Sequence, residues 1–337
     1  MNSSLVKRPL VSVCIPTYNR AHMLKECIQS VLTQSMSNFE LIISDNASQD
    51  STESVVKSLP DVRIKYYKNN INIGARENWQ QCLVLSQGDY ITIIPDDDMM
   101  LPDSLESRAE ILYSHPNVGF VHAKFHAIDA NGQIIKYDTN WMHGPDRDAD
   151  AVESRIGLLI SNSNTINAAT VMFKRECYTR LGGFSDELEF AFDSEYWMRI
   201  AVYYEAAFIA KPLAMWRVHS QTYTAMHIGT NRILRFKEDI IVKKIIADRH
   251  VKVLKDGRKI GRLIWQQMAE RLGNDINKIG TQGKKKSYVL LYCVEMLLYY
   301  PYLSLFLSPY KAMSRILLGD YSVSKLKKLY EKIYVSW

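Results

Sequence analysis

Three adjacent carboxylates, Asp96-Asp97-Asp98, follow the apolar run Tyr90-Ile91-Thr92-Ile93-Ile94 with only Pro95 between them. At the end of a buried strand such side chains repel one another and lose hydration, which penalises folding or forces protonation unless a cation is near. A bound divalent ion relieves both costs, and an all-oxygen donor set favours Mg²⁺ or Mn²⁺. Pro95 and Pro102 bracket the segment, so a solvated acidic turn is the competing reading. Further groups with chemical capacity are Thr17-Tyr18-Asn19-Arg20 and Asp45-Asn46.

The first half of the chain supplies alternating elements that would hold these groups. Val11–Ile15 is a short apolar run ended by Pro16, followed by an amphipathic stretch over Met23–Leu32. Leu41–Ser44 is the next strand-like run; Thr52–Ser58 follows, capped by Ser51 or equally by Asp50. Val62–Tyr67 is a third strand, Gly74–Ser86 a helix with an apolar stripe of Trp79, Cys82, Leu83 and Leu85, and Tyr90–Ile94 a fourth strand after Gly88. This alternation predicts an α/β fold with right-handed crossovers and a mostly parallel sheet. Ligands of such sheets collect at the carboxyl ends of the strands, where the polar clusters at 17–20, 45–46 and 96–98 fall. One site is the economical explanation.

Charge divides the chain in two. Residues 1–229 carry a balance of −7 and residues 230–337 one of +13, within the overall +6. The basic part contains Tyr288–Leu307, nearly all apolar or aromatic, interrupted by Glu295 and Pro301 and flanked by Lys284-Lys285-Lys286, Lys311 and Arg315. A spanning helix needs about 20 uninterrupted apolar residues, so this segment suits the interface of an anionic membrane, each cation there contributing about 1 kcal/mol. A buried helical hairpin broken at Pro301 is the alternative. The basic region shows no nucleic-acid motif, so nucleic acid is not an expected partner. The five cysteines are widely spaced, form no CxxC pair, and read as reduced thiols of a cytoplasmic protein. The apolar run near the N-terminus ends at Pro16, too short for a signal peptide.

Taken in order, Val13-Cys14-Ile15-Pro16-Thr17-Tyr18-Asn19-Arg20, Ile43-Ser44-Asp45-Asn46-Ala47-Ser48-Gln49-Asp50, Gly88-Asp89-Tyr90 leading to the acidic triplet, Gly182-Gly183-Phe184 with Phe192–Arg199, and Trp216-Arg217-Val218-His219 resemble the family 2 glycosyltransferases of GT-A fold. The resemblance spans about residues 9–225. No Walker A loop or GxGxxG competes with it. It implies that Pro16, Thr17, Tyr18 and Arg20 lie against the nucleotide of a sugar donor, with Thr17 and Tyr18 on a uracil ring and Arg20 offsetting phosphate charge. Asp45 would bond the base imide N–H, and Gly74 with Arg76 or Asn78 would lie under the diphosphate. Many relatives carry Asp-x-Asp-Asp, whose first acid aligns with Pro95; the chain fits the variants with three consecutive acids instead. Asp96 would reach the ribose or the metal, Asp97 or Asp98 would ligate the ion, and His219 would complete its shell. Asp193 sits where the family places the base that takes the acceptor's proton, with Glu195 as the shifted alternative. Phe192 stands where most relatives have Glu.

These implications add up to a metal-dependent (Mn²⁺ or Mg²⁺), inverting transfer of a sugar from a UDP-sugar to a hydroxyl. The expected acceptor is a glycan or polyprenyl-diphosphate-linked glycan of a cell-surface polysaccharide pathway. The expected organisation is a GT-A catalytic domain over 1–228 and a helical, basic, membrane-facing extension over 229–337, peripheral on the inner face of the membrane. A pyrophosphorylase-like nucleotidyltransferase lacks its Gly-rich, Lys-bearing N-terminal loop here. A nucleotide-binding assembly component without turnover is the other rival, and Asp193 beside the triplet argues against it.

Overall fold

The structure is a computed structural model, and it describes residues 10–139, 151–153, 155–160, 166–222 and 232–281. Two compact units divide the chain: Met1–Leu158 with Ser163–Thr230, and Leu159–Asn162 with Asn231–Trp337.

In the first unit, seven consecutive buried residues form β1 (Val11–Thr17) and seven more form β2 (Phe39–Asp45). Continuous rather than alternating burial is the mark of strands covered on both faces by crossover helices. Here α1 (Ala21–Leu32) buries Leu24, Cys27, Ile28 and Val31, while α3 (Ala75–Leu85) buries Asn78, Cys82 and Leu83. β3 (Ile64–Lys68) pairs parallel to β2, β2 to β1, and β1 to β4 (Tyr90–Ile93). The parallel sheet expected from the sequence therefore holds across the first four strands.

Beyond β4 the sheet becomes mixed, in the order β3-β2-β1-β4-β9-β6-β10-β5. The short β9 (Met172–Lys174) inserts antiparallel between β4 and β6 (Val118–Ile128), and β10 (Glu205–Arg217) then runs parallel to β6. β5 is only Met99–Met100, paired antiparallel with Met215 and Ala214 of β10. That two-residue ladder matters most for the site, since it fastens the end of β10 beside the acidic triplet. β7 (Ile134–Thr139) pairs with β6, and β8 (Ala151–Glu153) with β10.

Several boundaries differ from the sequence expectation for identifiable reasons. β1 continues through Pro16 to Thr17, in register with Ser44 and Asp45. Val62 is fully exposed in a turn, and β3 starts two residues later. At the start of α2 (Thr52–Lys57) Ser51 makes no side-chain cap; Asp50 Oδ1 accepts from the Thr52 N–H at 3.0 Å instead. Gly88 cannot carry a side chain, because a Cβ there would lie 2.5 Å from the Ser12 nitrogen and 2.7 Å from the Val11 carbonyl carbon. The first unit also contains α4 (Ser104–Ser114), α5 (Arg155–Ile160, whose last two residues pass into the second unit), α6 (Arg175–Leu181) and α7 (Phe192–Tyr203).

The second unit is helical over its described residues: α8 (Arg232–Ile245), a π-helical turn (Ile246–His250), a 3₁₀ turn (Val251–Val253) and α9 (Gly257–Thr281). Buried Lys243 donates to the Leu159 carbonyl at 2.7 Å, which explains why that short stretch belongs with these helices. Among the described residues no helix is long and apolar enough to cross a membrane. The segment Tyr288–Leu307 with its flanking lysines lies outside the described residues. Cys14, Cys27, Cys82 and Cys177 are buried free thiols.

Candidate active site

The carboxyl ends of β1 and β4 and the end of β10 meet at Asp96–Asp98. Thr17 Oγ1 donates to Asp96 Oδ2 at 2.7 Å, and the Tyr18 N–H approaches the same oxygen at 3.4 Å. Arg20 Nη1 donates to Asp96 Oδ1 at 2.9 Å and to Asp97 Oδ2 at 3.1 Å. His219 Nε2 lies 3.1 Å from that same Asp97 oxygen. Asp98 Oδ1 accepts the Arg217 N–H at 2.8 Å. Four parts of the sequence, 17–20, 96–98, 217 and 219, thus form one hydrogen-bonded cluster, of which strand-end placement alone brings together only 17–20 and 96–98.

Burial governs its electrostatics. Loss of hydration pushes the Asp96 carboxyl up to about 6, with Arg20 pulling it back and Asp97 adding to the rise. Burial, then Asp97, raises Asp98 well above the usual carboxylate range against the Arg217 N–H bond. Burial alone would lower Arg20, yet Asp96 and Asp97 hold it above its ordinary value. The repulsion that the sequence assigned to an external cation is therefore met in part from within the chain.

The donor chemistry was tested against a divalent ion. Among the described residues no group of three or more His, Cys, Asp and Glu side chains is arranged to hold a metal. Asp97 and His219 do converge, and an ion held by one or two protein groups plus diphosphate oxygens and water is the ordinary mode for Mg²⁺. The residues therefore fit a cation that arrives with a diphosphate. Of the two candidate carboxylates, Asp97 faces His219, while Asp98 has one oxygen committed to the backbone of β10.

The base end is set by buried amides and loops. Asp45 is fully buried, its Oδ1 accepting the Ser48 N–H at 2.8 Å and its Oδ2 the Tyr66 hydroxyl at 2.5 Å. Neither oxygen is turned to solvent, unlike the open acceptor the resemblance implies. Asn78, also buried, bonds both the hydroxyl and the carbonyl of Ser44, so it braces β2 rather than pointing outward. Arg76 is paired with its neighbour Glu77. Pro16 lies within β1, and Tyr18 is 43 % exposed, the open aromatic of the cluster. Asn46, to which the sequence attached no role of its own, ties the β2–α2 loop to the 69–74 segment: its side chain contacts Asn72 at 2.8 Å, the Gly74 carbonyl at 3.1 Å and the Ile73 N–H at 2.8 Å.

Comparison with known proteins bears directly on this arrangement. The sequence model described as Glycosyl transferase family 2 matches residues 12–168, which contain β1, β2, β4 and the acidic triplet. Residues 12–168 of the chain belong to glycosyltransferase family 2. A relative from Campylobacter jejuni, GalNAc(5)-diNAcBac-PP-undecaprenol beta-1,3-glucosyltransferase, is 37 % identical over 117 residues, 34 % of this chain and 37 % of that protein. Among solved structures, S. aureus TarS 1-349 in complex with UDP superposes with a TM-score of 0.62 at 15 % identity, covering 97 % of this chain and 90 % of that one. Mannosyltransferase PcManGT from Pyrobaculum calidifontis, in complex with GDP-Man and Mn²⁺, gives 0.58 at 21 % identity, covering 97 % and 89 %. These likenesses establish the GT-A fold.

In this glycosyltransferase the motif around Asp193 opens α7. The Asp193 carboxylate accepts the Ser194 N–H at 2.6 Å and is half-buried. Glu195, the alternative base, is buried and grips Arg199 through two bonds of 2.9 and 2.8 Å; Arg199 in turn donates to the Leu181 and Gly183 carbonyls. Glu195 is thus a packing ion pair that holds the Gly182-Gly183 turn. Phe192, standing where relatives carry Glu, packs edge-on against Trp79 at 5.5 Å and Phe184 at 5.3 Å. An aromatic cluster has taken over that position.

Arg217, which the sequence left without a role, braces the cluster. Its buried guanidinium donates to the Asp97 carbonyl at 2.8 Å, to the Ala130 carbonyl at 3.0 Å and to Glu26 at 2.5 Å. One side chain thereby joins the triplet, the β6–β7 turn and α1. Its signal was its place in Trp216–His219, read only as part of the resemblance.

Proposed function

We propose that the chain transfers a sugar from a UDP-sugar to a hydroxyl of a glycan or polyprenyl-diphosphate-linked acceptor in cell-surface polysaccharide synthesis, with inversion and with Mn²⁺ or Mg²⁺. The observation that carries this reading is the convergence of Thr17, Arg20, Asp96, Asp97 and His219 at the carboxyl ends of the strands. The names of the relatives support its parts: a UDP complex, an Mn²⁺ complex, and an undecaprenol-linked acceptor.

On this reading Pro16, Thr17, Tyr18, Arg20 and Asp96 receive the donor. Asp45 and Asn78 act through the strand ends they brace, and Arg76 exchanges Glu77 for the diphosphate. Asp97 and His219 would hold the ion, with Asp98 behind them; when bound, the ion would neutralise charge building on the departing nucleotide. Asp193 takes the proton from the attacking hydroxyl. The catalytic part corresponds to about residues 1–228. The basic part, 229–337, seats the enzyme on an anionic membrane surface at the cytoplasmic face, where the lipid-linked acceptor is held.

The test is a thermal-shift series with nucleotides in the presence of Mn²⁺. UDP should stabilise the protein by about 2.7 kcal/mol at a hundredfold excess over its Kd, and by more than GDP or ADP at the same concentration. A guanosine donor is the second reading, favoured by the GDP-mannose complex of one structural relative, and a larger GDP effect would establish it. Asp193→Asn should cut turnover at least about a hundredfold with nucleotide binding nearly unchanged. Near-normal turnover would remove Asp193 as the base.

A further inference from the structure

Asp97 Oδ2 is shared by two donors that lie far apart in sequence, Arg20 Nη1 at 3.1 Å and His219 Nε2 at 3.1 Å. The same guanidinium donates through Nη2 to the Gln221 carbonyl at 2.6 Å. The Gln221 N–H in turn faces His219 Nδ1 at 3.3 Å. Arg20, Asp97, His219 and Gln221 therefore close a ring of bonds.

The ring fixes the imidazole. A backbone N–H directed at Nδ1 needs a lone pair there, so the ring proton sits on Nε2 and is donated to Asp97. A metal ion needs the reverse, a bare Nε2 and an available carboxylate oxygen, with the other ring nitrogen donating to a partner. The Asp97 oxygen that faces His219, and His219 Nε2 itself, are thus both engaged inside the ring. Arg20 adds a full positive charge within hydrogen-bond distance of the same oxygen, which repels a dication strongly at short range in a partly buried site.

We propose that Arg20 and the His219–Gln221 turn form a latch on Asp97 that is mutually exclusive with a divalent cation. The cation enters when a nucleotide diphosphate offers Arg20 a second anionic partner, so that its guanidinium leaves Asp97 and releases Gln221. This rests on the cation-dependent reading above and adds to it a positioning role for Arg20 and a coupling between nucleotide and metal. The coupling is reciprocal: what the diphosphate gives to the cation, the cation gives to the diphosphate.

Mn²⁺ binding to the full-length, nucleotide-free protein, read by electron paramagnetic resonance of the free ion, tests this without any turnover. Arg20→Gln should bind Mn²⁺ at least about tenfold more tightly than wild type, since a competing charge and a competing donor are gone. Arg20→Lys, which keeps the charge but cannot bridge Asp97 and Gln221 together, should fall between the two and carries the test if the glutamine variant does not fold. Hydrogen exchange at Gln221 and Thr222 gives a second readout: slow in the free wild type, faster after Mn²⁺ and UDP are added, and fast throughout in Arg20→Gln. Unchanged or weaker Mn²⁺ affinity in both variants overturns the latch and leaves the transfer reading intact. Absence of Mn²⁺ uptake by nucleotide-free wild type and variants alike overturns the latch, while Mn²⁺ uptake measured with UDP present reports separately on the metal dependence.

Discussion

The two ends of the central sheet each bury a carboxylate network, and they settle it in opposite ways. At the amino end Glu40 accepts from Ser12 Oγ at 2.5 Å, from Lys65 Nζ at 2.6 Å and from the Gln87 N–H at 2.7 Å, while Ser12 also receives the Gly88 N–H at 2.8 Å. Burial would raise that carboxyl, yet the Lys65 and Ser12 bonds bring it below its usual range. At the carboxyl end Asp96 and Asp98 are raised in spite of Arg20 and Arg217. The amino end is a completed structural lock. The other end keeps carboxyls whose ionisation is opposed by burial and by one another, a cost a ligand can relieve, and perturbed groups of this kind concentrate at functional sites. Backbone strain follows the same division: among the described residues the non-glycine positive-φ positions are Asn19 at 53° and Ala47 at 65°, both in loops at the carboxyl end.

The comparison makes opposite predictions for similar substitutions. Glu40→Ala leaves the buried Ser12 hydroxyl without its acceptor and the Gln87 N–H with only Ser12 Oγ at 3.0 Å, and should lower stability by about 2–3 kcal/mol in urea unfolding, with Lys65, which is partly exposed, regaining water. Asp98→Asn keeps an acceptor for the Arg217 N–H while removing a carboxyl whose ionisation burial opposes. It should raise the stability of the ligand-free protein by about 1–2 kcal/mol at pH 7.5. A loss of stability there would mean that the two ends are equally settled.

The pH profile sharpens the contrast. Asp96 titrates near 6 in the folded chain and lower when unfolded, so between those values the folded state binds more protons. Stability should therefore rise as pH falls from 7 to about 5, by at most about 1.4 kcal/mol per pH unit for a single group. Glu40 has the opposite sign: its contribution is complete above the unfolded value and is lost as pH falls through its depressed folded value. Thermal midpoints should pass through a maximum on the acid side of neutrality, and Asp96→Asn should flatten the neutral limb. The smallest effect concerns strain. Ala47→Gly removes the cost of a left-handed alanine against the added freedom of glycine when unfolded, and should stabilise by about 0.5–1 kcal/mol. No gain in the melting midpoint would show that the loop conformation costs nothing.

Much of the first half was legible in the chain. The apolar runs ending in polar clusters gave β1, β2 and β4 and the expectation of one site at their carboxyl ends, because a parallel sheet repeats one local unit whose ligand side is fixed by the direction of the strands. Boundaries moved where a neighbour intervened, as at Pro16, carried into β1 by its register with Ser44. The preference for Asp193 over Glu195 rests on its place in the resemblance; the structure adds that Arg199, one turn along α7, takes both oxygens of Glu195.

The sequence alone determined the α/β class, the acid cluster and the family, since each depends on short runs of residue type and spacing. Only the tertiary structure decided which groups compensate the acids. Arg20 reaches Asp96 and Asp97 across 76 and 77 residues, and Arg217 and His219 reach Asp98 and Asp97 across 119 and 122. Those meetings follow from sheet order and from the two-residue ladder of β5 with β10. Charge compensation in a buried site depends on distances of a few ångströms, and strand pairing sets such distances where spacing along the chain does not.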